Sequence, residues 1–260
     1  MKVVILAGGY GTRISEESVL KPKPMIEIGG QPILWHIMKS YFYYGYNDFI
    51  ICCGYKTNII KEYFDNYYIY RSSDVTFDYS KGKEHYIHAS DVEPWRVTLV
   101  DTGLNTMTGG RVKRIAKYLN DEPFMLTYGD GVCDVNIKEL EKFHKNHKRK
   151  ATITAVRPGN RFGILTIDEN NLIKKFAEKN LEDSGWINGG YMVLNPEIID
   201  EIEGDNTILE REPLESYAKN SNLVAYMHNG FWACMDTMRD KQYLENLLNQ
   251  GCAPWEVWKK

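Results

Sequence analysis

Short apolar runs alternate with amphipathic stretches from the first residues of the chain. Residues 3–7 (Val-Val-Ile-Leu-Ala) are apolar at every position, the pattern of a strand buried on both faces, and the run stops at Gly8-Gly9. Residues 31–44 follow Gly29-Gly30, carry Pro32 near their first turn and predict a helix. The rhythm continues with a strand at 49–53, a helix with one apolar face at 58–67, a strand at 97–100 and a helix at 111–119. A further strand, 124–127, runs into Tyr-Gly-Asp-Gly. This alternation predicts an α/β fold with a mixed, mostly parallel sheet flanked by helices.

After residue 150 the pattern changes. Residues 151–156, 164–167, 172–177 and 186–194 are strand-like and closely spaced, which predicts an antiparallel extension of the sheet, and a helix over 237–250 closes the chain. Residues 67–95 are polar and aromatic with weak periodicity and read as an insertion. With no repeat, low-complexity segment or Pro/Ser-rich linker, residues 1–260 are expected to form a single domain.

Composition narrows the function classes. Among 260 residues, 43% are hydrophobic and 26% charged, enough for a packed core, and the formal net charge is −3. That balance gives no pull toward nucleic acid or an anionic membrane. The N-terminal apolar run is too short for a secretory signal, and no stretch reaches the ~20 apolar residues of a membrane span. A cytoplasmic protein with no nucleic-acid or membrane partner is expected. The five cysteines (Cys52, Cys53, Cys133, Cys234 and Cys252) show no C-x-x-C spacing and read as buried free thiols.

Candidate chemistry begins where the first strand ends. Leu6, Ala7, Gly8, Gly9, Tyr10, Gly11, Thr12 and Arg13 form a glycine-rich loop whose backbone N–H groups can approach a phosphate, with an arginine fork beside them. Lys23 follows in Lys21-Pro22-Lys23-Pro24, stiffened by its prolines. A Walker A string is absent, and a dinucleotide fingerprint starting at Gly9 would place Ile14 where a third Gly or Ala belongs. A nicotinamide-dependent oxidoreductase is therefore disfavoured.

The run GGYGTRISEESVLKPKPM, from Gly8 to Met25, resembles the signature G-G-x-G-T-R-L-x-P-L-T-x-x-x-P-K-P-M of the sugar-phosphate nucleotidyltransferases. Glu16-Glu17-Ser18 replaces the usual P-L-T. With EPWRVTLVDTG, MTGGR, TYGDGV, WINGGYMVLNP and FWACMDTMRDK further on, the chain is similar almost end to end to the branch that forms CDP-glucose. The resemblance implies a Rossmann-like nucleotide-diphospho-sugar transferase fold, CTP and glucose 1-phosphate as substrates, Mg²⁺ as cofactor, a homo-oligomer, and a place in CDP-sugar supply for surface polysaccharide. A uridylyl- or thymidylyltransferase acting on a hexose 1-phosphate is the alternative within the family. A non-catalytic subunit would be expected to lose a metal carboxylate or a phosphate lysine.

Carried onto this chain, the resemblance gives Asp130 and Asp236 to the metal, and Arg13 and Lys23 to the nucleotide phosphates, with Gly129 beside them. Asn105 and Gly110 would meet the base, and Arg111 a phosphate or the base. Lys179 would neutralise the sugar phosphate, and Glu178, Gly163 and Asn188 would line the sugar pocket. Simpler readings stand beside these: Asp236 as a helix N-cap, Thr108 capping the helix after Met107, and Glu178–Lys179 as a surface ion pair. His144 and His147 read as a solvated helix end among cations. Tyr41–Tyr46 read as core and interface packing, and Trp255 and Trp258 as packing against a neighbouring subunit.

Overall fold

A computed structural model of the chain describes residues 1–80, 82, 84–157, 164–177 and 185–259. In chain order the main elements are β1 (Val3–Leu6), α1 (Ile33–Tyr43), β2 (Asp48–Cys53), α2 (Thr57–Asp65), β3 (Ser72–Asp78), β4 (Glu84–Ser90), β5 (Arg96–Asp101), α3 (Thr108–Arg114), β6 (Phe124–Tyr128) and β7 (Gly131–Cys133). The second half adds α4 (Ile137–His147), β8 (Ala151–Val156), β9 (Ile164–Ile167), β10 (Ile173–Ala177), β11 (Ile187–Leu194), α5 (Glu212–Lys219), β12 (Leu223–Met227), β13 (Trp232–Cys234) and α6 (Met238–Asn249).

Seven strands form the central sheet in the order β12-β8-β11-β6-β1-β2-β5. The pairs β1–β2, β1–β6, β2–β5 and β8–β12 are parallel, whereas β11 runs antiparallel to both β6 and β8. The expected mixed, mostly parallel sheet is present, and the antiparallel extension reduces to one strand inside it plus the β9–β10 hairpin beside it. β1 explains the uninterrupted apolar pattern. Val3 and Ile5 enter one core with α1, while Val4 and Leu6 enter the other with α3, so alternate side chains meet helices on opposite faces.

Several expectations change. Residues 67–95 contain a turn of helix (Tyr67–Tyr70) and the antiparallel pair β3–β4, which among the described residues forms a two-stranded sheet separate from the central one, in keeping with the weak periodicity of the stretch. Helix 111–119 starts earlier, at Thr108, and gives way to a 3₁₀ turn at Ala116–Tyr118. Thr108 does not cap it; its hydroxyl donates to Glu210 and accepts from the Leu209 N–H. His144 is buried rather than solvated, with its ring nitrogens on Thr152 Oγ1 (2.8 Å) and Asn195 Oδ1 (3.0 Å). Trp255 is fully buried within the chain against Phe231 and His36 and so is not free for another subunit, whereas Trp258 lies edge-on to Trp35 and is half-buried. Tyr41 stacks on Tyr191 in the core. Cys52, Cys53 and Cys133 are buried, whereas Cys234 is half-buried and Cys252 exposed.

Candidate active site

The sheet's order reverses on either side of β1, because β2 and β6 both pair with it. That reversal opens a crevice at the carboxyl ends of the parallel strands, where ligands of such sheets bind. The cleft there has a volume of about 540 Å³ and is lined by residues 6–13, Lys23, Pro24, residues 104–108, Arg111, Tyr128, Gly129 and Asp130.

The glycine loop leaves β1 with Gly11 in the left-handed region (φ 67°). A side chain there would be strained, and its Cβ would press on Ser18 and Lys23 at 3.1–3.2 Å. Gly8 is needed for a different reason: a Cβ would fall 2.1 Å from Arg111 Nη1. Arg111 is 5% exposed, and its guanidinium donates to the carbonyls of Gly8, Cys53, Gly103 and Leu104 and to the Thr102 hydroxyl. Its hydrogen-bonding groups are thus engaged with the loops that end β1, β2 and β5. The residue expected at a phosphate or a base ties the cleft walls together.

Pro22 and Pro24 hold Lys23 in a short 3₁₀ turn, with its side chain directed inward. Lys23 Nζ lies 2.5 Å from Asp130 Oδ2 and 2.5 Å from Asp236 Oδ1, and Arg13 Nη1 lies 2.6 Å from Asp236 Oδ2. The two carboxylates are far apart in sequence but brought together by a short antiparallel pairing, β7 with β13, which aligns Cys234 with Gly131 and joins the Met235 N–H to the Asp130 carbonyl. Asp236 is not the helix cap. Thr237 caps α6 in a reciprocal pair with Asp240, leaving the Asp236 carboxylate to Lys23 and Arg13. Burial alone would lower the Lys23 pKa, but Asp130 and Asp236 outweigh it and hold the ammonium above its ordinary value. Burial would likewise raise the Asp236 carboxyl, and Lys23 with Arg13 reverses that and lowers it. Both groups stay charged at neutral pH.

Other expected residues fall in different places. Asn105 lines the cleft and accepts a hydrogen bond from the Tyr10 hydroxyl (2.8 Å). Gly110 faces away from it: a Cβ there would lie 2.6 Å from the Asp205 backbone. Asn188 stands one residue behind the wall, its Nδ2 donating to the Tyr128 hydroxyl (3.3 Å). Gly163, Glu178 and Lys179 lie outside the described residues. Sequence reasoning missed Glu210, whose two oxygens accept from the hydroxyls of Tyr128 and Thr108. Only the fold brings those three residues together, so no local signal marks it. The substitution at 16–18 has a visible role: Glu17 receives Lys241 of α6 at 2.5 Å, bracing the glycine loop against the helix that follows Asp236.

A second cluster, Cys133, Asp134 and His228, brings three potential ligand atoms within 4.8 Å of one another. Asp134 Oδ1 already accepts from the Phe231 N–H (2.7 Å) and meets His228 Nε2 (2.9 Å), and burial raises the Cys133 thiol pKa, so the cluster fastens the start of β13 to the end of β7. Among the described residues no helix is long and apolar enough to cross a membrane.

Known proteins resemble this chain in sequence and in fold. The glucose-1-phosphate cytidylyltransferase of Salmonella typhi is 56% identical over 260 residues, the whole of both chains. The probable glucose-1-phosphate cytidylyltransferase of Bacillus subtilis is 44% identical, over 99% of this chain and 100% of that one. Among solved structures, HddC from Yersinia pseudotuberculosis shares the fold with a TM-score of 0.77 at 24% identity, covering 95% of this chain and 99% of that chain. Nucleotidyl transferase is the family that matches residues 2–237, a span that takes in the glycine loop and both carboxylates, and the chain is a member of it.

Proposed function

We propose that this enzyme transfers the cytidylyl group of CTP to α-D-glucose 1-phosphate, releasing pyrophosphate and forming CDP-glucose. The observation that carries the reaction class is a lysine held between two carboxylates at the head of a switch-point cleft whose far wall is neutral. The base and sugar follow from the full-length likeness to glucose-1-phosphate cytidylyltransferases.

In the reaction a phosphate oxygen of the sugar phosphate attacks the α-phosphorus of the nucleotide in line. One P–O bond forms as the bond to the β-phosphate oxygen breaks, and pyrophosphate carries the electron pair away. The attacking oxygen is already an anion, so no side chain need deprotonate it, and catalysis rests on positioning and charge neutralisation. Arg13 and Lys23 serve the triphosphate. Glycines 8, 9 and 11 let the backbone approach it closely. Asn188 serves the sugar side, as do Gly163, Glu178 and Lys179 in the family pattern.

Asp130 and Asp236 suit Mg²⁺, because Asp130 Oδ2 and Asp236 Oδ1 converge on one point, now marked by Lys23 Nζ, and a pair of carboxylate oxygens matches the preference of this hard ion. When bound, Mg²⁺ supplies Lewis-acid neutralisation of phosphate oxygens.

A cytoplasmic homo-oligomer supplying CDP-sugar for surface polysaccharide completes the proposal. The exposed rings of Tyr79 (75%) and Tyr86 (48%) on the β3–β4 hairpin favour a second copy of the chain, which analytical ultracentrifugation tests. Pyrophosphate release measured with the four common nucleoside triphosphates against several hexose 1-phosphates tests the reaction. CTP with glucose 1-phosphate is expected to give the highest kcat/KM, and preference for a purine triphosphate or dTTP would refute the reading.

A further inference from the structure

The neutral end of the cleft holds a side chain whose orientation is already chosen. Tyr10, at the tip of the glycine loop, lies against Tyr55 with ring centroids 5.5 Å apart, and its hydroxyl donates to Asn105 Oδ1 at 2.8 Å. The two residues stand on opposite lips, one on the loop after β1 and the other on the loop after β5. Asn105 is flanked by the exposed apolar side chains of Leu104 (46%) and Met107 (46%). A nucleotide whose phosphates lie at Arg13 and Lys23 extends its base toward this uncharged wall, where apolar side chains suit a ring face and one amide suits a ring edge.

An asparagine amide has an accepting end and a donating end, and which one faces a ligand decides what it recognises. Here the carbonyl oxygen is engaged by Tyr10, and among the described residues no hydrogen bond uses Asn105 Nδ2. The amide therefore offers a donor to the cleft. Cytosine carries a bare acceptor at N3, whereas uracil carries an N–H there. An amide donor pairs with the first and opposes the second, and a donor that the bound base covers but does not pair with is costly. We infer that Tyr10, by holding the carbonyl of Asn105, turns the amide NH₂ toward N3 of the base and so sets the choice of cytosine over uracil. The inference rests on the cytidylyltransferase reading. In it Asn105 touches the base and Tyr10 is a positioning residue.

The test compares kcat/KM for CTP and UTP, each with saturating glucose 1-phosphate. Both residues are exposed and Tyr10→Phe removes one hydroxyl, so the variant is expected to melt with the wild type. Tyr10→Phe frees the amide to rotate, and the CTP/UTP ratio is expected to fall about tenfold, the scale of one polar contact at a discriminating site. A loss of general integrity would instead lower both nucleotides equally. Asn105→Asp, which can only accept when ionised, is expected to shift the ratio further toward UTP. In an Asn105→Ala background Tyr10→Phe is expected to leave the ratio unchanged, because its effect passes through the amide. A wild type that prefers CTP while Tyr10→Phe keeps the full ratio overturns the inference alone. So does a Tyr10→Phe effect of equal size in the Asn105→Ala background. A wild type that prefers another nucleotide overturns the functional reading and this inference with it.

Discussion

At one end of the cleft Lys23 and Arg13 pair with two carboxylates at 2.5–2.6 Å, whereas at the other end residues 104–108 are uncharged, with Arg111 beside them turned to backbone carbonyls and Glu210 behind them taken up by hydroxyls. The first region neutralises itself with side chains that can be exchanged for substrate and metal. The second holds its shape through a buried fork that fastens three loops. Charge serves chemistry at one end and architecture at the other, so substitutions in the two regions should fail in different ways.

The largest effect is expected at the charged end. Asp130→Asn should lower kcat by roughly 10²–10³-fold, the loss of one stabiliser of transition-state charge. Lys23 keeps its partner Asp236, and the melting temperature should stay within a few degrees of wild type. A folded variant with near-normal turnover at saturating Mg²⁺ would contradict the role given to Asp130. Arg111→Ala should do the reverse. It removes the donor shared by five acceptors, of which the Gly8 and Cys53 carbonyls keep the N–H groups of Tyr55 and Thr102, and is expected to cost about 3 kcal/mol of stability, or about 6–12 °C in Tm for a chain of this size. Arg111→Lys should rescue little, since one ammonium cannot span the five acceptors that the planar fork reaches. Thermal melting decides it, and an unchanged Tm would show that the fork is not structural.

The same division explains what was legible in the sequence. β1, β2 and β6 could be read because each is mostly a run of apolar residues, and burial on both faces of the sheet demands that, while the edge strand β5 showed through the shorter Val97–Val100 stretch although it is only partly buried. The glycine loop, Arg13, Lys23 and Asp130 were legible because a phosphate site needs unusual residue types in a fixed local order. Their neighbours were not. β7 and β13 are three residues each, too short for any periodic signal, yet their pairing is what brings Asp236 to Asp130. Arg111 sits in MTGGR with nothing local to distinguish an arginine aimed at ligand from one aimed at carbonyls, and only the loops packed around it decide. Helix α5 was missed although Pro213 marks its first turn, because the pattern around it is short.

Lys23 sharpens the comparison, since it occupies the point on which both carboxylates converge. Lys23→Met leaves Asp130 and Asp236 facing Arg13 alone, and Mn²⁺ measured by electron paramagnetic resonance without nucleotide should bind about tenfold more tightly than to the wild type. The KM for CTP should rise in the same variant, because the phosphates lose a cation. Opposite shifts for metal and nucleotide would separate these two roles, and an unchanged Mn²⁺ affinity would show that the lysine does not compete with the ion.

The smallest expected effect lies where the two ends are joined. Glu210 accepts the Thr108 hydroxyl through one oxygen and the Tyr128 hydroxyl through the other. Thr108 opens α3 beside the neutral wall, and Tyr128 ends β6 two residues before Asp130, so one carboxylate links both regions without a cation. Burial first, and then the charge of Glu210, raise the Tyr128 pKa well above its ordinary value, so the phenol remains a donor. Glu210→Gln keeps one oxygen and replaces the other with an NH₂, so one hydroxyl must turn round and accept. If that hydroxyl is Tyr128, it must also keep accepting from Asn188 Nδ2. A loss of about 1 kcal/mol is expected, giving a Tm lower by about 2–4 °C. A matching fall of about fivefold in kcat/KM is expected for both substrates, because the tie positions the walls and contacts neither substrate. Glu210→Ala removes both acceptors and should exceed Glu210→Gln on each measure. If Glu210→Ala melts and turns over like the wild type, the two ends of the cleft are held independently and the link through Glu210 is without consequence.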